Sequence, residues 1–240
     1  MKKLPIIILH GWGLSGSRFA PLVDLLSRAG YSPYAPDFPG FGTSEIPKSA
    51  YTLADYSNFL ADYITKHTIQ RPILIGHSFG GRVALKFQSM YPSVARALIL
   101  TGTPGYTPVP RKKLMMFVAV AKIGRKIFEL PVLRIVQDSV RKWYYYVVGA
   151  REFYRADGVM REVFKNVVAE GLEPYMSSVN IPCFLVWGEL DRITPVWIAQ
   201  KMQKVIKGST LLIIPDTDHG ISFKEPALFY KAITNFLRSV

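Results

Sequence analysis

Residues 71–81 read Arg71-Pro72-Ile73-Leu74-Ile75-Gly76-His77-Ser78-Phe79-Gly80-Gly81. The apolar run 73–75 stops at a glycine, and a helix-like pattern over 82–91 begins just after a glycine pair. One serine sits between them in the spacing G-x-S-x-G. A glycine-bracketed serine alone is often an ordinary turn. A strand before it and a helix after it make a sharp elbow, which holds Ser78 in a strained backbone conformation and lifts its hydroxyl above the sheet edge. Gly76 and Gly80 fit because a Cβ at either place would crowd the neighbouring strand or helix. The helix start beyond the serine offers free N–H groups and a positive dipole end to a developing negative charge.

On the N-terminal side, the continuous apolar run 4–9 predicts a strand buried on both faces, ending in the glycine loop His10-Gly11-Trp12-Gly13-Leu14. A helix is expected over 19–29, from Phe19, Leu22, Leu25 and Leu26. A strand follows over 31–35, then the turn-rich loop 36–44, then a helix over 53–67 with Leu53, Tyr56, Leu60 and Ile64 on one face. On the C-terminal side, 97–101 is the next strand. Alternation resumes with a strand at 183–187, a helix at 196–206 opened by Pro195, a strand at 210–214 and a helix at 227–237. Alternating strands and helices predict an α/β fold: a mostly parallel, doubly wound sheet of about six strands.

Between residues 104 and 178 the alternation stops. Helices are expected at about 112–129, 133–146 and 158–170, with 13 basic residues against 7 acidic. The organisation expected is a core of 1–103 and 179–240, with 104–178 inserted as a helical cap over the strand ends.

Bulk composition agrees with one compact domain carrying an insertion. The chain has 240 residues, 49% hydrophobic and 20% charged, which argues against disorder. The single Cys183 excludes an internal disulfide framework, fits a reducing compartment and reads as a core residue. The apolar run 4–9 is too short for a signal peptide, and no stretch approaches the roughly 18 apolar residues of a membrane span. A cytoplasmic protein is expected. The net charge of +13 serves solubility or an anionic partner, and no nucleic-acid module is readable.

Four loops leave the carboxyl ends of predicted strands, where sites form in open α/β sheets. They are 10–14, the Ser78 elbow, 188–195 and 216–220. A serine hydroxyl needs a base to take its proton. Of four histidines, His219 has the position and chain order for that role. His67 reads as an exposed helix-end residue, His77 as held by the elbow, and His10 as a structural part of the glycine loop. A carboxylate must then fix the base's tautomer. Asp191 leaves a strand end in the order Ser78, Asp191, His219. Among its rivals, Asp216 and Asp218 are too near His219 in sequence to reach its outer nitrogen, Asp37 is expected to shape its own loop, and Glu189 is a further carboxylate. Two N–H donors for an oxyanion are expected from Phe79, the residue after the nucleophile, and from Trp12 in the glycine loop. No cofactor or metal is required.

These segments, His10-Gly11-Trp12-Gly13, the loop 37–44, Gly76-His77-Ser78-Phe79-Gly80-Gly81, Gly188-Glu189-Leu190-Asp191, and His219 with Glu225-Pro226 after it, resemble the α/β-hydrolase superfamily over essentially the whole chain. The resemblance implies a Ser–His–Asp triad and makes the insertion the family's helical lid. Two features depart from the pattern. The family usually has an antiparallel strand pair before the His-Gly strand; here the sequence opens on that strand, so six parallel strands with a more exposed edge are expected. The residue before the base is often Gly in the family. Here it is Asp218, a second negative charge that would raise the base's pKa unless its side chain points to solvent.

A serine nucleophile argues against the family's Asp-dependent dehalogenases and epoxide hydrolases. The expected reaction is cleavage of a small-molecule carboxylic ester through an acyl-enzyme on Ser78, released by water that His219 activates. Leu114, Met115, Met116, Phe117, Phe128, Trp143 and the tyrosines at 144–146 either line an apolar acyl pocket or pack the cap onto the core. The glycine loop is similar to that of esterases acting on an acyl methyl ester held by an acidic carrier protein, which a basic cap would suit. The elbow differs, with His77 and Phe79 where those esterases have Trp and Leu. Carbon–carbon bond hydrolases and prolyl aminopeptidases are further alternatives within the family, the latter disfavoured by the cap's positive balance. A ligand receptor on the same fold and a basic nucleic-acid or membrane binder are readings from other classes.

Overall fold

The computed structural model describes residues 3–106 and 158–240. Six strands, β1 (Pro5–Leu9), β2 (Ser32–Tyr34), β3 (Ile73–His77), β4 (Ala97–Thr101), β5 (Cys183–Gly188) and β6 (Thr210–Ile214), form one sheet in the order β2-β1-β3-β4-β5-β6. Every pairing is parallel, as expected from the alternation.

Side chains alternate across this sheet, which gives the protein two cores. Ile6 and Ile8 of β1, with Ile73, Ile75, Ile99 and Val186, face one side. There they meet helices α1 (Ala20–Arg28) and, near the C-terminus, Pro226–Ser239, through Leu22, Leu26, Phe229, Ile233 and Leu237. Ile7 and Leu9, with Leu74, Leu98, Leu100 and Trp187, face the other side. That side is covered by α2 (Leu53–Lys66), α3 (Phe79–Met90) and α6 (Val196–Val205). Helix α2 begins where it does because Thr52 and Asp55 form a capping box, each side chain bonding the other's backbone N–H.

Of the predicted cap, residues 104–106 and 158–178 are described. Helix α4 (Gly158–Ala169), expected from sequence, buries Met160, Val163 and Val167 against the second core. The five-residue α5 (Glu173–Ser177) follows it. The helices expected at 112–129 and 133–146, and the candidate acyl-pocket residues Leu114 to Tyr146, lie outside the described residues. No helix among the described residues is long and apolar enough to cross a membrane.

Arg82 joins these layers. It is buried, and its guanidinium donates to Pro104 O at 2.9 Å, Val167 O at 2.6 Å and Glu170 O at 2.6 Å. Burial pulls its pKa down to about 10, against the raising effect of Glu170, so it stays charged at neutral pH. Beside it, Lys86 Nζ meets Glu170 at 3.0 Å and Tyr175 OH at 2.8 Å.

Candidate active site

Ser78 stands between β3 and α3 with φ 52° and ψ −112°. Positive φ costs a non-glycine residue energy and persists only where the surroundings enforce it. Here the Ser78 N–H donates to Thr101 O at 2.9 Å, and the Ser78 carbonyl accepts from the N–H groups of Gly81 and Arg82. The elbow is too tight for side chains on either flank. A Cβ at Gly76 would lie 2.6 Å from Gly81 Cα, and one at Gly80 would lie 2.0 Å from Leu9 O.

Asp191 leaves the end of β5 and is almost wholly buried. Its Oδ1 accepts from the N–H groups of Ile193 at 2.9 Å and Thr194 at 2.8 Å. Its Oδ2 accepts from Thr194 Oγ1 at 2.7 Å and lies 2.8 Å from His219 Nδ1. An ionised carboxylate can only accept, so Nδ1 of His219 carries the proton and Nε2 is left as an acceptor. The His219 ring lies against Gly102, which follows β4 with φ 57°; a Cβ there would be 2.7 Å from His219 Cε1. It also lies 4.9 Å, ring to ring, from His77, the residue before Ser78. The three predicted side chains thus gather at one rim of the sheet. Asp191 and His219 are hydrogen-bonded, whereas no hydrogen bond joins Ser78 Oγ to His219 among the described residues.

The remaining candidates separate cleanly. Asp37 shapes its own loop as expected, accepting from Gly16 N–H at 2.6 Å and from the Thr43 N–H and hydroxyl. Burial pushes its pKa up, but those donors and the nearby His10 more than offset it and the net direction is down. Asp218 is held by Lys224 Nζ and by the Gly220 N–H. Glu189 is exposed and accepts from Asp216 N–H at 3.3 Å. His67 is exposed at a helix end and stacks on Tyr63 at 4.3 Å. His77 is buried, packs against Phe19 and Phe223, and leaves Nδ1 without a hydrogen-bond partner. Burial first, then the charges of His219 and His10, hold its pKa well below 6.5.

On the oxyanion side, the Trp12 ring packs edge-on against Phe41, Phe79 and Phe164. Gly11 brings this loop against the elbow: a Cβ there would lie 3.4 Å from Ser78 Cβ. Among the described residues, neither the Trp12 N–H nor the Phe79 N–H has an acceptor. An open groove of about 380 Å³ borders the same loop, lined by Gly13, Leu14, Ser15, Arg18 and Gly42. No group of three His, Cys, Asp or Glu side chains among the described residues is arranged to hold a metal ion.

Two residues of this site were not anticipated from sequence, Thr194 and Gly102. Thr194 has a faint signal, since Asp-x-x-Thr after a strand suits a carboxylate that bonds forward to backbone N–H groups. Gly102, in Thr101-Gly102-Thr103, signals only a strand end.

Comparison with known proteins places this geometry in a family. An AB hydrolase superfamily protein of Bacillus subtilis is 25% identical over 98% of this chain and 92% of its own length. The 2-(acetamidomethylene)succinate hydrolase of Mesorhizobium japonicum is 25% identical over 97% of this chain and 87% of its own. In three dimensions the fold matches an esterase from Exiguobacterium antarcticum, with TM-score 0.75 and 19% identity over 99% of this chain and 92% of that one. A bromoperoxidase from Bacillus anthracis matches with the same TM-score, identity and coverage. The sequence model of the alpha/beta hydrolase family spans residues 6–232, and the chain belongs to that family.

Proposed function

We propose that the protein is a serine hydrolase that cleaves a small-molecule carboxylic ester through an acyl-enzyme. Ser78 Oγ attacks the ester carbonyl while His219 Nε2 takes its proton. Asp191 holds the imidazole in the required tautomer and stabilises the imidazolium. The N–H groups of Trp12 and Phe79 receive the oxyanion of the tetrahedral intermediate. Collapse expels the alcohol, protonated by His219; water, deprotonated by the same imidazole, then attacks the acyl-enzyme and releases the acid. The inserted segment 104–178 is the part of the chain assigned to selecting the acyl group.

The observation that carries the reading is the 2.8 Å contact of Asp191 Oδ2 with His219 Nδ1 at the rim where Ser78 is held at φ 52°. Free enzymes often have a long serine–histidine approach that tightens when substrate binds. The acidic carrier protein has no support in the relatives' names, and the cap residues that suggested it fall largely within 107–157.

The test is turnover of short 4-nitrophenyl esters with active-site labelling by a fluorophosphonate. Ser78→Ala is expected to reduce kcat on the order of 10⁶-fold with an unchanged melting temperature, and labelling is expected at Ser78 alone. Undiminished turnover in Ser78→Ala would overturn the reading.

A further inference from the structure

The Gly11–Trp12 peptide is gripped by its carbonyl. Gly11 O accepts from His10 Nδ1 at 2.8 Å and from the Leu14 N–H at 3.2 Å. A trans peptide is planar, so its N–H points opposite to its C=O; the chain has no cis peptide bonds. Two donors on Gly11 O therefore aim the Trp12 N–H the other way. That N–H has no acceptor among the described residues, and it lies in the loop that Gly11 packs against Ser78.

The His10 ring that supplies one of these donors is fixed from both ends. Gly11 O can only accept, so Nδ1 carries a proton. The Phe38 N–H can only donate, and it donates to Nε2 at 3.0 Å. One neutral tautomer satisfies both partners; the other tautomer and the imidazolium each lose at least one. The ring is fully buried, against Phe38 at 5.0 Å and Phe41 at 5.5 Å.

We propose that His10 is a positioning residue for the oxyanion. Through Nδ1–H on the Gly11 carbonyl it turns the Gly11–Trp12 peptide so that the Trp12 N–H faces the carbonyl oxygen of an ester bound at Ser78. Nε2 ties the same loop to Phe38. The proposal rests on the serine-hydrolase reading and goes beyond it.

Two substitutions separate the two bonds. The amide nitrogen of Asn falls where Nδ1 was, so His10→Asn keeps a donor for Gly11 O and loses the Phe38 bond. The amide of Gln reaches where Nε2 was, so His10→Gln keeps an acceptor for Phe38 and loses the Gly11 bond. His10→Gln is expected to lower kcat for a 4-nitrophenyl ester about 100-fold with KM within about twofold. It should weaken an alkyl boronic acid, which mimics the tetrahedral intermediate, by a similar factor. His10→Asn should stay within about tenfold of the parent kcat. Equal losses in the two variants, or a Gln effect confined to KM, would overturn the role of His10. Ester turnover surviving in Ser78→Ala would instead remove the hydrolase reading beneath it. ¹⁵N spectra of the parent protein test the proposal even if both variants misfold: at neutral pH His10 must carry its proton on Nδ1, and a proton on Nε2 would overturn it.

Discussion

Asp191 spends every lone pair it has. Two backbone N–H groups hold one oxygen, and the Thr194 hydroxyl and His219 share the other. Under the proposed mechanism this fixes the imidazole with Nε2 bare. Asp191→Asn would present an amide N–H to Nδ1 and favour the wrong tautomer, so kcat should fall about 10⁴-fold while the fold survives. Steady-state kinetics beside a thermal melt check it. Gly102→Ala is the companion test from the other side of the ring. Its Cβ would sit 2.7 Å from His219 Cε1 at a backbone φ of 57°. Displacing the base by a few tenths of an ångström to an ångström is expected to cost about 100-fold in kcat. A kcat unchanged by that substitution would mean that the ring's seat against β4 is unimportant. The placement of Ser78, Asp191 and His219 beyond strand ends was legible because each follows a readable strand. Thr194 and Gly102 were not, because they act on a histidine 25 and 117 positions away in sequence. Nothing in their immediate neighbours marks that contact.

At the scale of elements, the helix behind the nucleophile is also the joint to the inserted segment. Arg82 is one turn past Ser78, and its three carbonyl acceptors belong to the loop after β4 and the C-terminal end of α4. Helix C-termini leave carbonyls unsatisfied, and a cation there is favourable on both hydrogen-bonding and dipole grounds. Arg82→Met would strip these buried acceptors of partners. A loss of about 3 kcal/mol in unfolding free energy is expected, with Arg82→Lys recovering part of it; urea denaturation measures both. The sequence showed Arg82 only as a charge on a helix, since its partners are 22 to 88 residues away. The short helices Glu173–Ser177 and Ile221–Lys224 were missed for another reason: four or five residues are too few to display a period. β2 is shorter than the predicted 31–35 because it is an edge strand, paired only opposite Pro5, Ile6 and Ile7.

For the whole molecule, the all-parallel sheet was the most readable feature. Strands buried on both faces need uninterrupted apolar runs, and 97–101 coincides with β4, whose five residues are all buried; 210–214 also coincides with β6, although that edge strand is largely exposed. The same burial sets the response to acid. His10 and His77 are both buried, and burial is the main cause holding their pKa values below 6.5. The unfolded chain therefore takes up these protons before the native state does. Stability from this source is complete above about pH 6.5 and declines as pH falls below it. Thermal melts between pH 8 and 5 should show a Tm that drops below pH 6.5, with a shallower drop in His77→Gln. A Tm as steep in that variant would assign the acid sensitivity to other groups. Cys183, by contrast, is inert: burial raises its thiol to about 12, so Ellman's reagent should react only after unfolding.

The strand order also dictates when reactivity can emerge during refolding. Neighbours in the sheet are far apart along the chain, and such non-local pairings close slowly, on the order of milliseconds to seconds. The elbow needs only β1, β3 and β4 with α3, whereas the imidazole also needs β6 paired with β5. A chain diluted out of denaturant should regain helical circular dichroism first and phosphonate labelling last, so a burst of early labelling would contradict that sequence of events.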